Sequence, residues 1–133
     1  MPTGTLGSSA RDYPSRGDKL VAVVNLANLA PTSSIKIGTL PAGSAILRIS
    51  SAVSTAFNYG TNNNISVGTA SGGAQIVAAA AIGAVGVNAQ TVIAAAANMA
   101  ADTDIWVTGA FTGTVGTTGA GLIIVEFAGP TFQ

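Results

Sequence analysis

Between Leu40 and Ala70 the chain reads LPAGSAILRISSAVSTAFNYGTNNNISVGTA, and this stretch limits the fold more than any other. Leu47, Ile49, Val53 and Phe57 fall at even spacing, which on a strand gathers them on one face, while Arg48, Ser50, Ala52 and Ser54 take the other. The pattern predicts one buried and one exposed face. Asn58, Tyr59 and Gly60, then Asn62, Asn63 and Asn64, supply positive-φ and side-chain-to-backbone turn chemistry, and Ile65 and Val67 restart the alternation. The expectation is the central hairpin of a small β-sandwich. Nothing in the stretch is suited to catalysis.

The flanking segments extend the same reading. Leu20 to Leu29 (LVAVVNLANL) is the first expected strand, stopped by Pro31. Ile35 and Ile37 alternate with Ser34, Lys36 and Gly38 as a short half-exposed strand, and Pro41, Ala42 and Gly43 turn into the hairpin, which makes the first half a β-meander. Ser71 to Gln75 is a Gly-rich loop. Ile76 to Ala101 is Ala-rich, so local propensity favours helix over Ile93 to Ala101, whereas Gly83 and Gly86 break its first half. The expectation there is one or two irregular strands with Val92 or Ile93 buried, plus a helical turn. Its apolar run from Ile76 to Val87 is too short for a membrane span, which takes about 20 residues. Ile105, Val107 and Phe111 then alternate with Trp106 and Thr108, Gly113 to Gly121 forms a loop, and Leu122 to Phe127 makes a last strand before a frayed TFQ tail. Seven or eight short strands at this spacing suit an all-β antiparallel sandwich or jelly roll.

Charge is scarce, and its placement is uneven. Only 8% of the 133 residues are charged, against about 25% in ordinary soluble domains. Five of the ten charges, Arg11, Asp12, Arg16, Asp18 and Lys19, stand in the first 19 residues, and from Leu20 onward only Lys36, Arg48, Asp102, Asp104 and Glu126 remain. A body so neutral has little electrostatic protection against self-association, so its surface is expected to be Thr, Ser, Asn, Gly and Ala and to be covered in use by copies of itself or a partner. Residues 1–19 hold no apolar period and cannot offset their own ordering entropy, which makes them an extended arm preceding a domain at 20–133. On that arm Arg11, Tyr13, Arg16 and Lys19 have most to offer another chain. The opening residues lack the apolar core of a signal peptide, so export by that route is not expected.

The residue inventory excludes several chemistries. Without cysteine or histidine there is no thiolate nucleophile, imidazole base, disulfide or usual zinc site, and plentiful serine and threonine lack a visible base. No basic stripe serves nucleic-acid phosphates. The Gly clusters at 68–73 and 113–121 lack the Lys-Ser/Thr of a P-loop and the dinucleotide fingerprint, and read as loops. Asp102 and Asp104 are candidates for a general acid and base or for calcium ligation, against a plain reading as a polar strand entrance. Trp106 and Tyr59 are candidates for stacking on a sugar, against core and rim packing. Arg48 and Glu126 are expected to pair across a sheet. The expectation is a non-enzyme without cofactor or metal, binding neither nucleic acid nor membrane.

The run TLPAGSAILR at 39–48, TAFNYGT at 55–61, ISVGTA at 65–70 and the closing GAGLIIVEF at 119–127 resemble small virion proteins of tailed bacteriophages, most of all capsid decoration, or cement, proteins. The resemblance spans about Leu20 to Gly129 and departs from the pattern at the Ala-rich run. It implies a jelly-roll-like sandwich, a homotrimer on the major capsid protein lattice at the capsid exterior, and no catalysis. A host-recognition or carbohydrate-binding module of a phage tail or fibre is the alternative.

Overall fold

The computed structural model describes residues 17–31, 33–94 and 97–129. Eight strands are found among them: β1 (Gly17–Asn25), β2 (Ser34–Leu40), β3 (Ala45–Thr55), β4 (Asn62–Gly68), β5 (Val77–Ala81), β6 (Gly86–Gln90), β7 (Thr103–Thr112) and β8 (Ala120–Ala128). They build two four-stranded antiparallel sheets, a first in the order β1-β8-β3-β6 and a second in the order β2-β7-β4-β5. The pairs β1–β8, β2–β7, β3–β6 and β4–β5 are those of one long ribbon folded back on itself, and the pairs β3–β8 and β4–β7 form where that ribbon curls into two layers. This is the eight-stranded jelly roll.

That topology corrects the expected hairpin and meander. β3 and β4 lie in different sheets, and so do β1 and β2, because each connection crosses the sandwich rather than reversing within a sheet. The turn chemistry between Thr55 and Asn62 serves the corner instead. Asn58 Oδ1 accepts from the backbone N–H groups of Thr117 and Thr118 at 2.7 and 3.0 Å, and Asn63 Oδ1 accepts from Tyr59 N–H at 2.7 Å. A turn and a corner need the same residue types, so local sequence does not separate them.

The expected alternation holds at Ile49 and Val53 of β3 and at Phe57 just beyond its end, all buried, but not at Leu47, which is 63% exposed. The register slips between Ile46 and Arg48 opposite Phe127 and Glu126, so Leu47 is the extra residue of a β-bulge. Ile46 takes the inward place. In the Ala-rich run the two expected strands form as β5 and β6, whose ladders with β4 and β3 bury Val77 and Ala80 and pair the backbone. The helix favoured over Ile93 to Ala101 does not form among the described residues, because Ala97 and Met99 bond to Ile46 and Ser44 at the start of β3 instead. Val92 is half-buried against the core, whereas Ile93 is 40% exposed, and Ile76, Ile82 and Met99 are the buried members. β1 starts at Gly17, three residues before the expected first strand, and ends at Asn25. The expected tail TFQ and the arm residues Arg11, Tyr13 and Arg16 lie outside the described residues.

Between the sheets, Val24, Ile49, Val53, Ile123 and Val125 of the first meet Leu40, Ile65, Val67, Ile105 and Val107 of the second. Leu29, Phe57 and Ile82 close one end of the sandwich and Ile76 and Met99 the other. Phe111 stacks on Phe57 at 5.4 Å and on Tyr59 at 4.8 Å, giving a three-ring column that ties the corner to the core. Gly119 passes over this column where a Cβ would stand 2.7 Å from Phe57 Cγ.

Candidate assembly surface

The two outward faces differ in kind. On the second sheet the outward positions of β2, β4 and β7 are mainly polar and several are tied down by the chain itself, while the exposed positions of its edge strand β5 are the small residues Ala78, Ala79 and Ala81. Ser34 Oγ and Thr108 Oγ1 lie 2.8 Å apart, and the Gly72 N–H donates to both at 2.9 and 3.2 Å. Ser66 Oγ donates to the Gly73 carbonyl at 3.1 Å. The loop between β4 and β5 is therefore laid back on the sheet, and Ser66 and Thr108 are buried beneath it. Gly68 permits this approach, because a Cβ there would stand 2.6 Å from the Gly73 carbonyl oxygen. Beside it Lys36 and Asp104 form an ion pair at 3.2 Å.

On the first sheet the outward positions are mostly aliphatic, and those of the edge strands β1 and β6 are bare. Val23 of β1, Leu122 of β8, Ala52 of β3 and Val87 of β6 stand in one cross-strand row. Val23 is 61% and Val87 74% exposed. The next row is Val21, Ile124, Ser50 and Ala89. Beyond it the charged row of Lys19, Glu126 and Arg48 closes that end of the face, with Arg48 and Glu126 paired at 3.0 Å as expected. At the opposite end Val85, on the β5–β6 connection, rims a shallow apolar depression of about 420 Å³ together with Val23, Ala52, Val87 and Leu122. A contiguous apolar patch of this kind, rimmed by polar groups, marks an interaction surface.

The signal for this face stands in the sequence. LVAVV in β1 and LIIV in β8 are apolar at both parities, which a sheet covered on one side by its own chain does not need. The surface is thus not confined to Thr, Ser, Asn, Gly and Ala, since Val21, Val23, Leu47, Val85, Val87 and Val115 are all exposed.

The sequence-derived site residues fall elsewhere. Lys19 is exposed on β1 rather than on a preceding arm, opposite Glu126. Asp102 and Asp104 each hold structure: Asp102 Oδ1 accepts from Ala42 N–H at 2.8 Å, and Asp104 Oδ1 accepts from Thr39 Oγ1 at 2.7 Å. That Thr39 hydrogen bond, with Lys36 beside it, holds the Asp104 carboxyl below its ordinary range. Among the described residues no group of three or more His, Cys, Asp and Glu is placed to hold a metal ion. Tyr59 is buried in the ring column, so it does not join Trp106, half-buried on β7, in a platform for a sugar. Among the described residues no helix is long and apolar enough to cross a membrane.

No protein-family model matches the chain, and no curated protein does. Two solved structures are similar. A chain of the capsid of Ralstonia phage GP4 superposes with a TM-score of 0.66 at 17% identity, covering 94% of this chain and 92% of that one. A chain of the cyanophage Pam1 capsid asymmetric unit superposes with a TM-score of 0.58 at 15% identity, covering 98% of this chain and all of that one. The likeness is one of fold, and it covers more than nine-tenths of each chain compared.

Proposed function

We propose that this chain is a structural component of a bacteriophage virion, a decoration (cement) protein that binds the major capsid protein lattice on the head exterior as a homotrimer. The observation that carries the reading is the likeness of fold to chains of two phage capsids, which covers more than nine-tenths of each chain. The motif resemblance of residues 39–70 and 119–127 to decoration proteins points the same way, and the bare apolar face of the first sheet supplies a surface suited to assembly. The action is mechanical. Many shallow contacts per particle add by multivalency, so a shell resists internal pressure without any one tight site.

In this reading Arg11, Tyr13 and Arg16 reach along the shell from the start of β1, and Lys19 extends their contact from the strand itself. The tail or fibre alternative has less support, since a sugar platform of Trp106 with Tyr59 would need a ring that is buried. The test is sedimentation of the purified chain with phage heads that lack it. Saturable binding of hundreds of copies per head is expected, and deletion of residues 1–16, which leaves β1 whole, should abolish it. Absence of binding, or a handful of copies, would contradict the reading.

A further inference from the structure

The geometry points to the outer face of the first sheet as the surface through which copies of this chain meet one another around a three-fold axis. This rests on the homotrimer reading above and adds which face forms the trimer.

Size supports it. Four strands about 4.8 Å apart give a face about 19 Å across, and the nine residues of β1 and β8 make it about 30 Å long, with β3 longer at eleven residues and β6 shorter at five. That flat area of about 570 Å², enlarged by side-chain relief and shared between two neighbours, approaches the roughly 800 Å² that each partner contributes to a standard interface. Three faces of this width closed around an axis leave each sheet about 5.5 Å from the centre, half of the roughly 10 Å at which sheets pack face to face. Valine, leucine and alanine side chains fill that distance. The row Val23, Leu122, Ala52 and Val87 would then lie across the dry interior, and the depression rimmed by Val85 accepts the aliphatic side chains of the neighbour at the corner.

The charges agree with a second copy as occupant. On this face they are confined to the row at one end, where Glu126 sits between Lys19 and Arg48 of its own chain. Around a three-fold axis all three rows come to the same open rim, where Glu126 keeps its own Arg48 as counter-charge and the extra cation of Lys19 faces outward toward the shell, so no carboxylate is buried unpaired. The neutrality of the remaining rows leaves nothing to repel a like copy.

The test is the solution mass of the full chain by light scattering, for the wild type and for Val23→Asp, Val87→Asp and Val115→Asp. Val115 is as exposed as Val87 but stands on the β7–β8 connection, away from the face. All three side chains point outward, and circular dichroism checks that each variant keeps its strands. Expected are three-chain masses for the wild type and Val115→Asp and one-chain masses for Val23→Asp and Val87→Asp, with Val87→Ser intermediate. A wild type that is monomeric or dimeric, or trimers that persist in both face variants, would overturn the inference. Head binding separates the two readings. A monomer whose head binding is lost only in Val87→Asp places the shell on this face and sinks the inference alone, whereas a trimer split by Val87→Asp that never binds heads keeps the inference and sinks the virion role.

Discussion

The outer faces of the two sheets come from the same chain, carry the same number of strands and are finished in opposite ways. The second sheet spends Ser34, Ser66 and Thr108 on holding its own β4–β5 loop, and sets Lys36 against Asp104. The first leaves Val21, Val23, Leu122 and Val87 in water. Folding needs one apolar face per sheet, and both sheets have it at the core. The aliphatic residues on the far side of the first sheet therefore answer to something other than the fold, and assembly is the physical demand that fits them.

The contrast can be broken or sharpened by substitution. The largest effect is expected where neither face is involved: Phe111→Ala removes the middle ring of the Phe57–Phe111–Tyr59 column and should destabilise by about 3–5 kcal/mol in denaturant unfolding. An outer-face residue with an equal effect would show that the faces are part of the core. Next comes Gly68→Val on the second sheet, whose side chain meets the Gly73 carbonyl; a loss of about 1–3 kcal/mol, with the β4–β5 loop opened to proteolysis, is expected. Val21→Ser on the first sheet should change monomer stability by no more than about 0.5 kcal/mol while weakening association. A large stability loss there would mean that the face serves folding after all.

The smallest effect is that of pH on the second sheet. Asp104 has its folded-state pKa lowered by Thr39 and then Lys36, so its contribution is full above the ordinary carboxylate value of about 3.9 and is lost as pH falls through the lowered folded value. A carboxyl NMR titration should find Asp104 below that ordinary value, and Thr39→Val should raise it. An Asp104 that titrates in the ordinary range would remove this anchor from the second sheet.

Much of this architecture is legible in the sequence, and what is not has particular causes. Alternation located β3, β4, β7 and β8, and Arg48 with Glu126 was readable as a cross-strand pair. Leu47 misled because a bulge adds a residue without changing the residue types around it. The expected hairpin at Asn58 failed because a sheet-crossing corner draws on the same Asn and Gly chemistry as a turn. The assembly face is not legible because an unbroken run such as LVAVV reads as a strand buried within its own chain, and only the two-layer architecture, with no described element over the outer side of the first sheet, shows one of its sides to be bare.

Hydroxyl-radical footprinting of the chain free as a dilute monomer and bound in the particle measures the contrast directly, residue by residue. Val21, Val23, Leu122 and Val87 should be oxidised in the free chain and protected in the particle, while Trp106 on the second sheet stays as reactive as before. Equal labelling of the four aliphatic residues in both states, or protection at Trp106 in their place, would contradict the assignment of the first sheet as the covered face.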